Sequence, residues 1–313
     1  MNWRKFLYSI AKSYHRLVEK ETQDDQTVKQ DVEELGFFVL DDTTIQKTGK
    51  KMENIGKVYD HTTGEYVLGY KVLTLSHFDG KGFAPADFSI HVELGKDKKQ
   101  GLSAKQLLER FSKRRAPKSH GHKRLLESFM EKPKVAIEML KRAWKNGFRA
   151  AYFLCDSWFD GEDFIKQMIA LNERNAKSCR KYKCLYFKKD VMLNDIPVRL
   201  FIVKYGRKQK WNVLLTTDTS LSFVKTFEYY QIRWNTEVMY RECKQHLGLG
   251  RCQSNDFDAL IADTTLAFAT YAMLALYKRV NDYETKGAFF RNLQEEVFAI
   301  TLWQRFLPVI EKI

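Results

Sequence analysis

Two short apolar runs that each end in acidic residues constrain the fold of this chain more than any other feature. Leu35 to Leu40 is rich in β-forming residues and is followed at once by Asp41 and Asp42, and Phe148 to Cys155 is followed by Asp156. Continuous apolar runs of this length are typical of buried strands. Because ligands in open α/β sheets gather at strand ends, we interpret the three aspartates as candidate site residues.

The rest of the pattern predicts an α/β layer with an antiparallel start, interrupted by an all-β insertion and followed by a helical end. Helices are predicted from periodic apolar positions, and strands from alternating or continuous apolar runs. The remaining elements predicted in chain order are helix 3–22, strands 65–77 and 83–94, helices 103–115, 133–145 and 161–172, strands 184–188, 198–205 and 211–217, and helices from residue 223 onward.

The charge balance favours a polyanionic partner. The chain has 53 Lys and Arg against 39 Asp and Glu, a net charge of +14. Each Lys or Arg placed on a phosphate releases condensed counterions, so nucleic acid is the first candidate. The apolar content of 44% excludes a disordered tail, and 313 residues are enough for one large domain with an insertion or for two domains.

The cysteine pattern and the N-terminus predict a cytoplasmic protein. The cysteines are odd in number and lack the short paired spacing of zinc sites, which indicates reduced thiols. Residues 1–19 carry charges throughout and lack the apolar block of a signal peptide. The longest apolar run, Leu266 to Tyr277, is shorter than the roughly 20 residues that a membrane span requires, so it predicts a buried helix. We therefore expect no membrane partner.

A helical segment near residue 237 carries a charged stripe. At about 100° per residue, its five members fall within roughly an 80° arc of one helix. The commoner interpretation of a lone stripe is a solvated face with paired charges. One acid among three cations and a tyrosine instead suits the binding of phosphate beside a metal. The members are Tyr230, Arg233, Glu237, Arg241 and Lys244.

The acids together predict a metal site. Three converging carboxylates can hold two divalent ions, which activate the attacking oxygen and stabilise the leaving oxygen in phosphodiester displacement. Hard oxygen ligands and phosphate coordination favour Mg²⁺, with Mn²⁺ as a substitute. The predicted ligands are Asp41 or Asp42, Asp156 and Glu237.

The segment from Tyr230 to Lys244 resembles the Tyr-x2-Arg-x3-Glu-x6-Lys signature of bacterial DDE transposases of the insertion-sequence-four family. All four positions are present at the family's spacing. The blocks 40–44 and 155–159 resemble the family's first and second aspartate blocks. The resemblance covers roughly residues 30 to 250, which is most of the chain.

The resemblance implies a fold class and a division of the chain. The fold would be a ribonuclease-H-like mixed sheet flanked by helices, with an all-β insertion between the second and third catalytic carboxylates and a helical C-terminus. The expected segments are an N-terminal helix and linker (1–30), the first part of the catalytic core (31–175), the insertion (176–211), the second part of the core (212–250) and a helical C-terminal region (251–313).

The resemblance also implies residue roles. The carboxylates of Asp41 or Asp42, Asp156 and Glu237 would be the catalytic ligands of two Mg²⁺ ions. Only one member of the Asp41–Asp42 doublet can share the orientation of the preceding inward side chains, because side chains alternate along a strand. The sequence does not decide between them, and we favour Asp41. The residues implied or proposed to hold phosphates are Tyr230, Arg233, Arg241 and Lys244.

The implied activity is DNA transposition. The family nicks the transposon end to free a 3′-hydroxyl, forms and reopens a hairpin, and joins the end to target DNA, each step being in-line phosphoryl transfer. The implied partners are double-stranded DNA, at the transposon ends and the target, and a second copy of the chain in a synaptic homodimer. The implied location is the bacterial cytoplasm, in association with the nucleoid.

Two alternatives remain open at this stage. Family members usually carry a helical DNA-end-recognition region ahead of the core, whereas about 30 residues precede the first predicted strand here. The first alternative is thus a truncated, non-catalytic DNA-binding remnant that inhibits full-length copies. The second is a structure-selective nuclease with the same core, which would release free ends without joining them.

Other basic and aromatic residues are secondary candidates. The basic connection from Lys113 to Arg124, which contains His120 and His122, is predicted to be a loop that contacts DNA non-specifically rather than a metal site. A weaker case of the same kind is the turn with Arg207, Lys208 and Lys210. We expect Trp158 and Trp234 to be core residues, with base stacking as the alternative if a ring is exposed.

Overall fold

The computed structural model describes residues 1–24, 36–93, 99–156, 176–193, 196–206 and 211–280. The fold is mixed α/β, as the sequence predicts. It divides into two compact units, one built from the chain up to Leu154 and from Thr236 onward, the other from Cys155 to Asn235. Several predictions lie outside the described residues, namely helix 161–172, Trp158 and the cluster Arg207, Lys208 and Lys210.

The described elements come in runs, with one helix followed by four strands, three helices, five strands and three helices. In order they are α1 (Trp3–Asp24), β1 (Phe37–Gln46), β2 (Gly56–Asp60), β3 (Glu65–Phe78), β4 (Phe83–His91), α2 (Ala104–Leu108), α3 (His120–Glu127), α4 (Lys132–Lys145), β5 (Tyr152–Cys155), β6 (Lys177–Cys179), β7 (Cys184–Leu193), β8 (Ile196–Tyr205), β9 (Trp211–Thr216), α5 (Phe223–Gln231), α6 (Trp234–His246) and α7 (Phe257–Val280).

Strand β3 is the centre of the first unit's sheet. The strand order is β2-β3-β1-β5, and β4 pairs with the edge of β3 opposite β1. β1 and β3 are antiparallel in a continuous register from Phe37 opposite Phe78 to Gln46 opposite Gly69. This long ladder sets the position of the candidate aspartates, because Asp41 lies opposite Thr74.

Strand β1 extends farther than the sequence predicts. The predicted strand ends at Leu40, but pairing with β3 continues to Gln46, so Asp41 and Asp42 lie inside the strand rather than at its end. The reason is that β-branched residues follow the doublet and the last of them, Ile45, is buried. Asp156 does follow its strand directly.

The two faces of this sheet are covered by different helices. The face of β1 that carries Phe38, Leu40 and Asp42 packs on α1 and α4 through a core that includes Leu73 and Leu75, and we call it the α4 face. The face that carries Val39, Asp41 and Thr43 is reached by Tyr240 of α6, and we call it the α6 face. Side chains alternate between faces, so the two aspartates of the doublet point to different helices.

The second unit is an antiparallel sheet covered by helix α5. Its strand order is β6-β7-β8-β9. Phe223 of α5 stacks on Tyr186 of β7 with ring centroids 4.1 Å apart, and Phe201 and Val203 of β8 complete the core. The sheet runs from Lys177 to Thr216 and so includes the segment where the sequence predicts β-rich structure.

The predicted charged stripe does not lie on one helix, which corrects the sequence interpretation. Helix α5 ends at Gln231 and α6 begins at Trp234. Between them the amides of Arg233 and Asn235 bond to carbonyls three residues earlier, and such tight turns break the 100° phase of an α-helix. Of the five residues, only Glu237, Arg241 and Lys244 share α6.

Only some of the cations in the basic connection 113–124 are exposed to solvent. Arg115 is almost fully buried, with its guanidinium donating to Glu53 at 2.6 Å and to Asp258 at 3.0 Å. Arg124 is also buried, over the ring of Phe88. His120 and His122 are not in a loop, because Ser119 caps the first turn of α3. The cations of this stretch that remain exposed are Arg114, Lys118, Lys123 and Lys113, the last of which pairs with Asp256 and Asp258.

Helix α7 contains the predicted buried apolar helix. Residues 257–279 meet the length and composition of a membrane span, and half of the most apolar window is buried inside the protein. Core helices of soluble proteins meet the same criterion. Phe257 and Phe268 on its inner side pack on Tyr70 and Phe88 of the sheet.

Two buried histidines make the stability of the first unit dependent on pH. Burial lowers the pKa of His77 and of His91 to about 4, well below the ordinary value of 6.5. As the pH falls, the two imidazoles become protonated in the unfolded chain before they do in the folded protein. The free energy of unfolding should therefore fall as the pH is lowered from 6.5 to about 4. Chemical denaturation at several pH values measures this slope.

The double substitution His77→Gln and His91→Gln should flatten the slope between pH 6.5 and 4. Substitution of the exposed His61 by Gln provides the matched control and should leave the slope as it is. A wild-type free energy of unfolding that stays constant over this interval would contradict the prediction.

Candidate active site

Two hydrogen bonds hold helix α6 against strand β1, one at Asp41 and one at Thr43. The hydroxyl of Tyr240 donates to the backbone carbonyl of Asp41 at 2.8 Å. The ammonium of Lys244 donates to the hydroxyl of Thr43 at 2.7 Å. Both bonds lie on the α6 face of the sheet, so the helix that carries Glu237 is anchored beside Asp41.

The carboxylate of Asp41 affects the pKa of Tyr240 on α6. Burial raises the pKa of Tyr240 well above 10, and the negative charge of Asp41 raises it further. Tyr240 therefore stays protonated at neutral pH and keeps its donor role. One oxygen of the Asp41 carboxylate accepts the backbone N–H of Asp42 at 2.8 Å.

Glu237 lies in the first turn of α6 and is half-buried. Lys244 follows it by seven residues, or two helical turns, so both side chains leave the same side of the helix. A carboxylate in the first turn is also favoured by the helix dipole. Arg241, one turn after Glu237, is exposed.

Lys244 is a partly buried cation. Burial lowers its pKa, the charge of Asp60 at the end of β2 raises it, and the charge of Lys71 lowers it. The net effect is a pKa below the ordinary value of 10.5. Its ammonium places a positive charge on the α6 face, beside Thr43.

Asp42 has a different environment on the α4 face. One carboxylate oxygen accepts from Lys71 at 3.2 Å and the other from Lys132 at 2.7 Å. Burial alone would raise the pKa of Asp42, but the charges of Lys132 and Lys71 outweigh it and hold the pKa below 3.8. Asp42 is therefore ionised and already paired with two ammonium groups.

The second unit brings three other candidates together. Asp156 follows β5 directly and is exposed. Burial raises the pKa of the adjacent Cys155, the charge of Asp156 raises it further and that of Arg233 lowers it, so Arg233 lies near this pair. The guanidinium of Arg233 stands 5.3 Å from the ring centre of Tyr230.

The predicted ligands are thus divided between the two units. Asp41, Asp42 and Glu237 belong to the first unit and Asp156 to the second. Within the described residues, no group of three or more His, Cys, Asp or Glu side chains is placed to hold a metal ion. The donor chemistry nevertheless fits Mg²⁺, because Asp41 and Glu237 offer hard carboxylate oxygens. Asp42 fits poorly, because both of its oxygens already accept from lysines.

Sequence reasoning missed four residues that shape this site, namely Tyr240, Thr43, Lys71 and Lys132. A signal existed for one of them. Lys71 interrupts the apolar stretch of β3, and a lysine inside a buried strand requires a partner of opposite charge. The other three carry no such signal, because their roles depend on contacts between distant elements.

Carboxylates and cations held on a mixed α/β fold are the groups that an enzyme needs to cleave phosphodiesters. A family model described as DDE superfamily endonuclease matches residues 12–215, more than half of the chain. The chain belongs to this family. The match includes Asp41, Asp42 and Asp156 and ends before Glu237. No curated protein matches the chain.

Membership of this family has three consequences. It identifies a nuclease-type enzyme, it implies DNA as the substrate, and it implies divalent metal ions, which members of the superfamily typically use. The predicted DDE transposase type is supported at this level of the superfamily. The segment Tyr230 to Lys244 lies beyond the matched residues.

Proposed function

We propose that the protein is a metal-dependent DNA transposase that cleaves transposon ends and joins them to target DNA by in-line phosphoryl transfer. The observation that carries the proposal is the placement of Asp41 on the sheet face to which α6, the helix of Glu237 and Lys244, is fastened. Membership of the endonuclease family implies that the substrate is DNA.

We assign the residues of this site as follows. Asp41, Asp156 and Glu237 hold two Mg²⁺ ions, for which Mn²⁺ can substitute. Metal ions of this kind lower the pKa of a bound oxygen nucleophile and neutralise charge on the leaving oxygen. Tyr240 stays protonated and holds the backbone of Asp41 in place. The residues that we assign to the DNA phosphates are Lys244, Arg241, Arg233 and Tyr230.

The finer assignment is to the insertion-sequence-four group. It is supported by the spacing of Tyr230, Arg233, Glu237 and Lys244 and by the position of the β6–β9 sheet, which lies between Asp156 and Glu237 along the chain. On this proposal the first unit is a ribonuclease-H-like core, the β6–β9 sheet is its insertion, and the reaction passes through a DNA hairpin. A synaptic homodimer acts in the bacterial cytoplasm.

A structure-selective nuclease is the second candidate. The observation that favours it is the description of the matching family, which is that of an endonuclease. Such an enzyme would use the same carboxylates and would release free DNA ends. Strand joining therefore separates the two candidates.

The test is an assay of the purified full chain on DNA that carries an element end, with Mg²⁺ or Mn²⁺. Joined products are expected, and free ends alone would indicate the nuclease. Glu237→Gln and Asp156→Asn should abolish cleavage. Glu228→Gln, on neighbouring α5, removes an acid that pairs with the exposed Lys181 and should leave cleavage unchanged. Salt-dependent DNA binding without cleavage by the wild type would overturn both candidates.

A further inference from the structure

We propose that Asp42 is a positioning residue which, with Lys71 and Lys132, fixes the carboxylate of the neighbouring Asp41 for metal binding. The inference rests on the proposed function, because it takes Asp41 as a metal ligand. It changes the role of Asp42 from a candidate ligand to an anchor on the opposite face of the same strand.

The link between the two aspartates is a single peptide group. The backbone N–H of Asp42 donates to a carboxylate oxygen of Asp41 at 2.8 Å. The side chain of Asp42 leaves the strand on the α4 face, and that of Asp41 leaves it on the α6 face. Anchoring the Asp42 side chain therefore fixes the orientation of the peptide that holds the Asp41 carboxylate.

The anchor connects three separate elements. Lys71 belongs to β3, lies opposite Thr44 in the register, and has a side chain only 2% exposed. Lys132 is the first residue of α4. Asp42 on β1 joins them through its two oxygens, so strand β1 is held against both β3 and the start of α4 at this point.

A ligand role for Asp42 conflicts with these contacts. A divalent cation at its carboxylate would have to displace two ammonium groups or stand beside them, and like charges at this distance repel strongly in a buried site. The negative charge of Asp42 also compensates the ammonium of Lys71, and a buried ammonium without a counter-ion is costly. Groups that orient a metal ligand typically change metal affinity or activity by about 10- to 100-fold when mutated.

The test measures metal affinity without DNA. Mn²⁺ is titrated into the purified full chain and the free ion is followed by electron paramagnetic resonance. Asp42→Asn keeps the backbone N–H but releases the anchor, so the Kd for Mn²⁺ should rise by about 10- to 100-fold. Saturating Mn²⁺ should then restore DNA cleavage. Asp41→Asn removes a ligand, and no concentration of Mn²⁺ should restore its cleavage.

Two variants separate positioning from folding. Asp42→Asn combined with Lys71→Met removes the uncompensated buried ammonium, so it should fold better than Asp42→Asn and still show the raised Kd. Asp87→Asn is the matched control, because Asp87 of β4 is also a buried carboxylate and is paired with arginines of α1 and α4. It should lower the unfolding temperature and leave the Kd of the folded protein unchanged.

Three results would overturn the inference. The first is a wild-type Kd for Mn²⁺ in Asp42→Asn. The second is cleavage by Asp42→Asn that stays lost at saturating Mn²⁺, which would make Asp42 a ligand. The third is a wild-type chain that binds no Mn²⁺. A wild-type chain that binds Mn²⁺ with the expected shift in Asp42→Asn but does not cleave DNA would instead refute the proposed function alone.

Discussion

Replacing Asp41 by asparagine is expected to lower the rate of DNA cleavage by more than about 100-fold, since groups that merely orient a metal ligand already cost about 10- to 100-fold. The substitution keeps the size of the side chain and the backbone carbonyl that accepts the Tyr240 hydroxyl. It removes the negative charge on the α6 face. Single-turnover cleavage with Mg²⁺, at matched protein and DNA concentrations, measures the effect.

The matched control for this variant is Glu65→Gln. Glu65 is an exposed acid at the start of β3 in the same sheet, and its substitution should leave the cleavage rate at the wild-type value. Thermal melting of both variants tests whether they remain folded. A folded Asp41→Asn protein that cleaves DNA at more than a tenth of the wild-type rate would refute the assignment of Asp41 as a ligand.

Replacing Asp87 by alanine is expected to lower the free energy of unfolding by about 3–5 kcal/mol, the usual cost of removing one partner of a buried ion pair. Asp87 is fully buried and accepts from Arg4 and Arg142 at 2.9 Å each and from the hydroxyl of Tyr8 at 3.0 Å. These contacts join β4 to α1 and α4. Urea denaturation followed by circular dichroism measures the loss.

An exposed acid of the same unit provides the comparison. Glu109→Gln removes a carboxylate whose contact with Lys105 lies at the surface, and the free energy of unfolding should not change measurably. If Asp87→Ala and Glu109→Gln unfold at the same urea concentration, the Asp87 cluster does not stabilise the fold in the way that its burial indicates.

Periodicity in the sequence was sufficient for elements whose structure depends on local pattern. Helices α1 and α4 and strands β3 and β4 follow the apolar spacing directly, within a few residues at each end. The end of β1 could not be predicted in this way. Its second half is mostly polar, and the strand persists there because β3 supplies a ladder of backbone hydrogen bonds to residues that are largely β-branched.

The interruption between α5 and α6 shows a second limit of periodicity. The sequence from Tyr230 to Lys244 contains no proline or glycine, so a continuous helix is its simplest interpretation. The structure inserts a two-residue turn at Ile232 and Arg233, next to the boundary between the two units. Tertiary context can override helix propensity, so the local sequence does not report such a turn.

Prediction of the candidate site had a similar limit. The acidic residue types and their spacing were sufficient to identify Asp41, Asp42, Asp156 and Glu237 as candidate ligands, and their roles as ligands remain predictions. The difference between Asp41 and Asp42 depends on which helix covers each face of β1. Likewise, Arg115 and Arg124 resemble surface cations in the sequence, but they are buried against acids from distant segments.

The two bonds that fasten α6 to β1 join residues that lie 199 and 201 positions apart along the chain. Contacts between such distant residues form late, because the intervening chain must be present before the ends can meet. During translation, a polypeptide that contains Asp41 but ends before Tyr240 lacks both hydrogen bonds. Incomplete products of translation therefore lack the contacts that hold α6, the helix of Glu237 and Lys244, against Asp41 and Thr43.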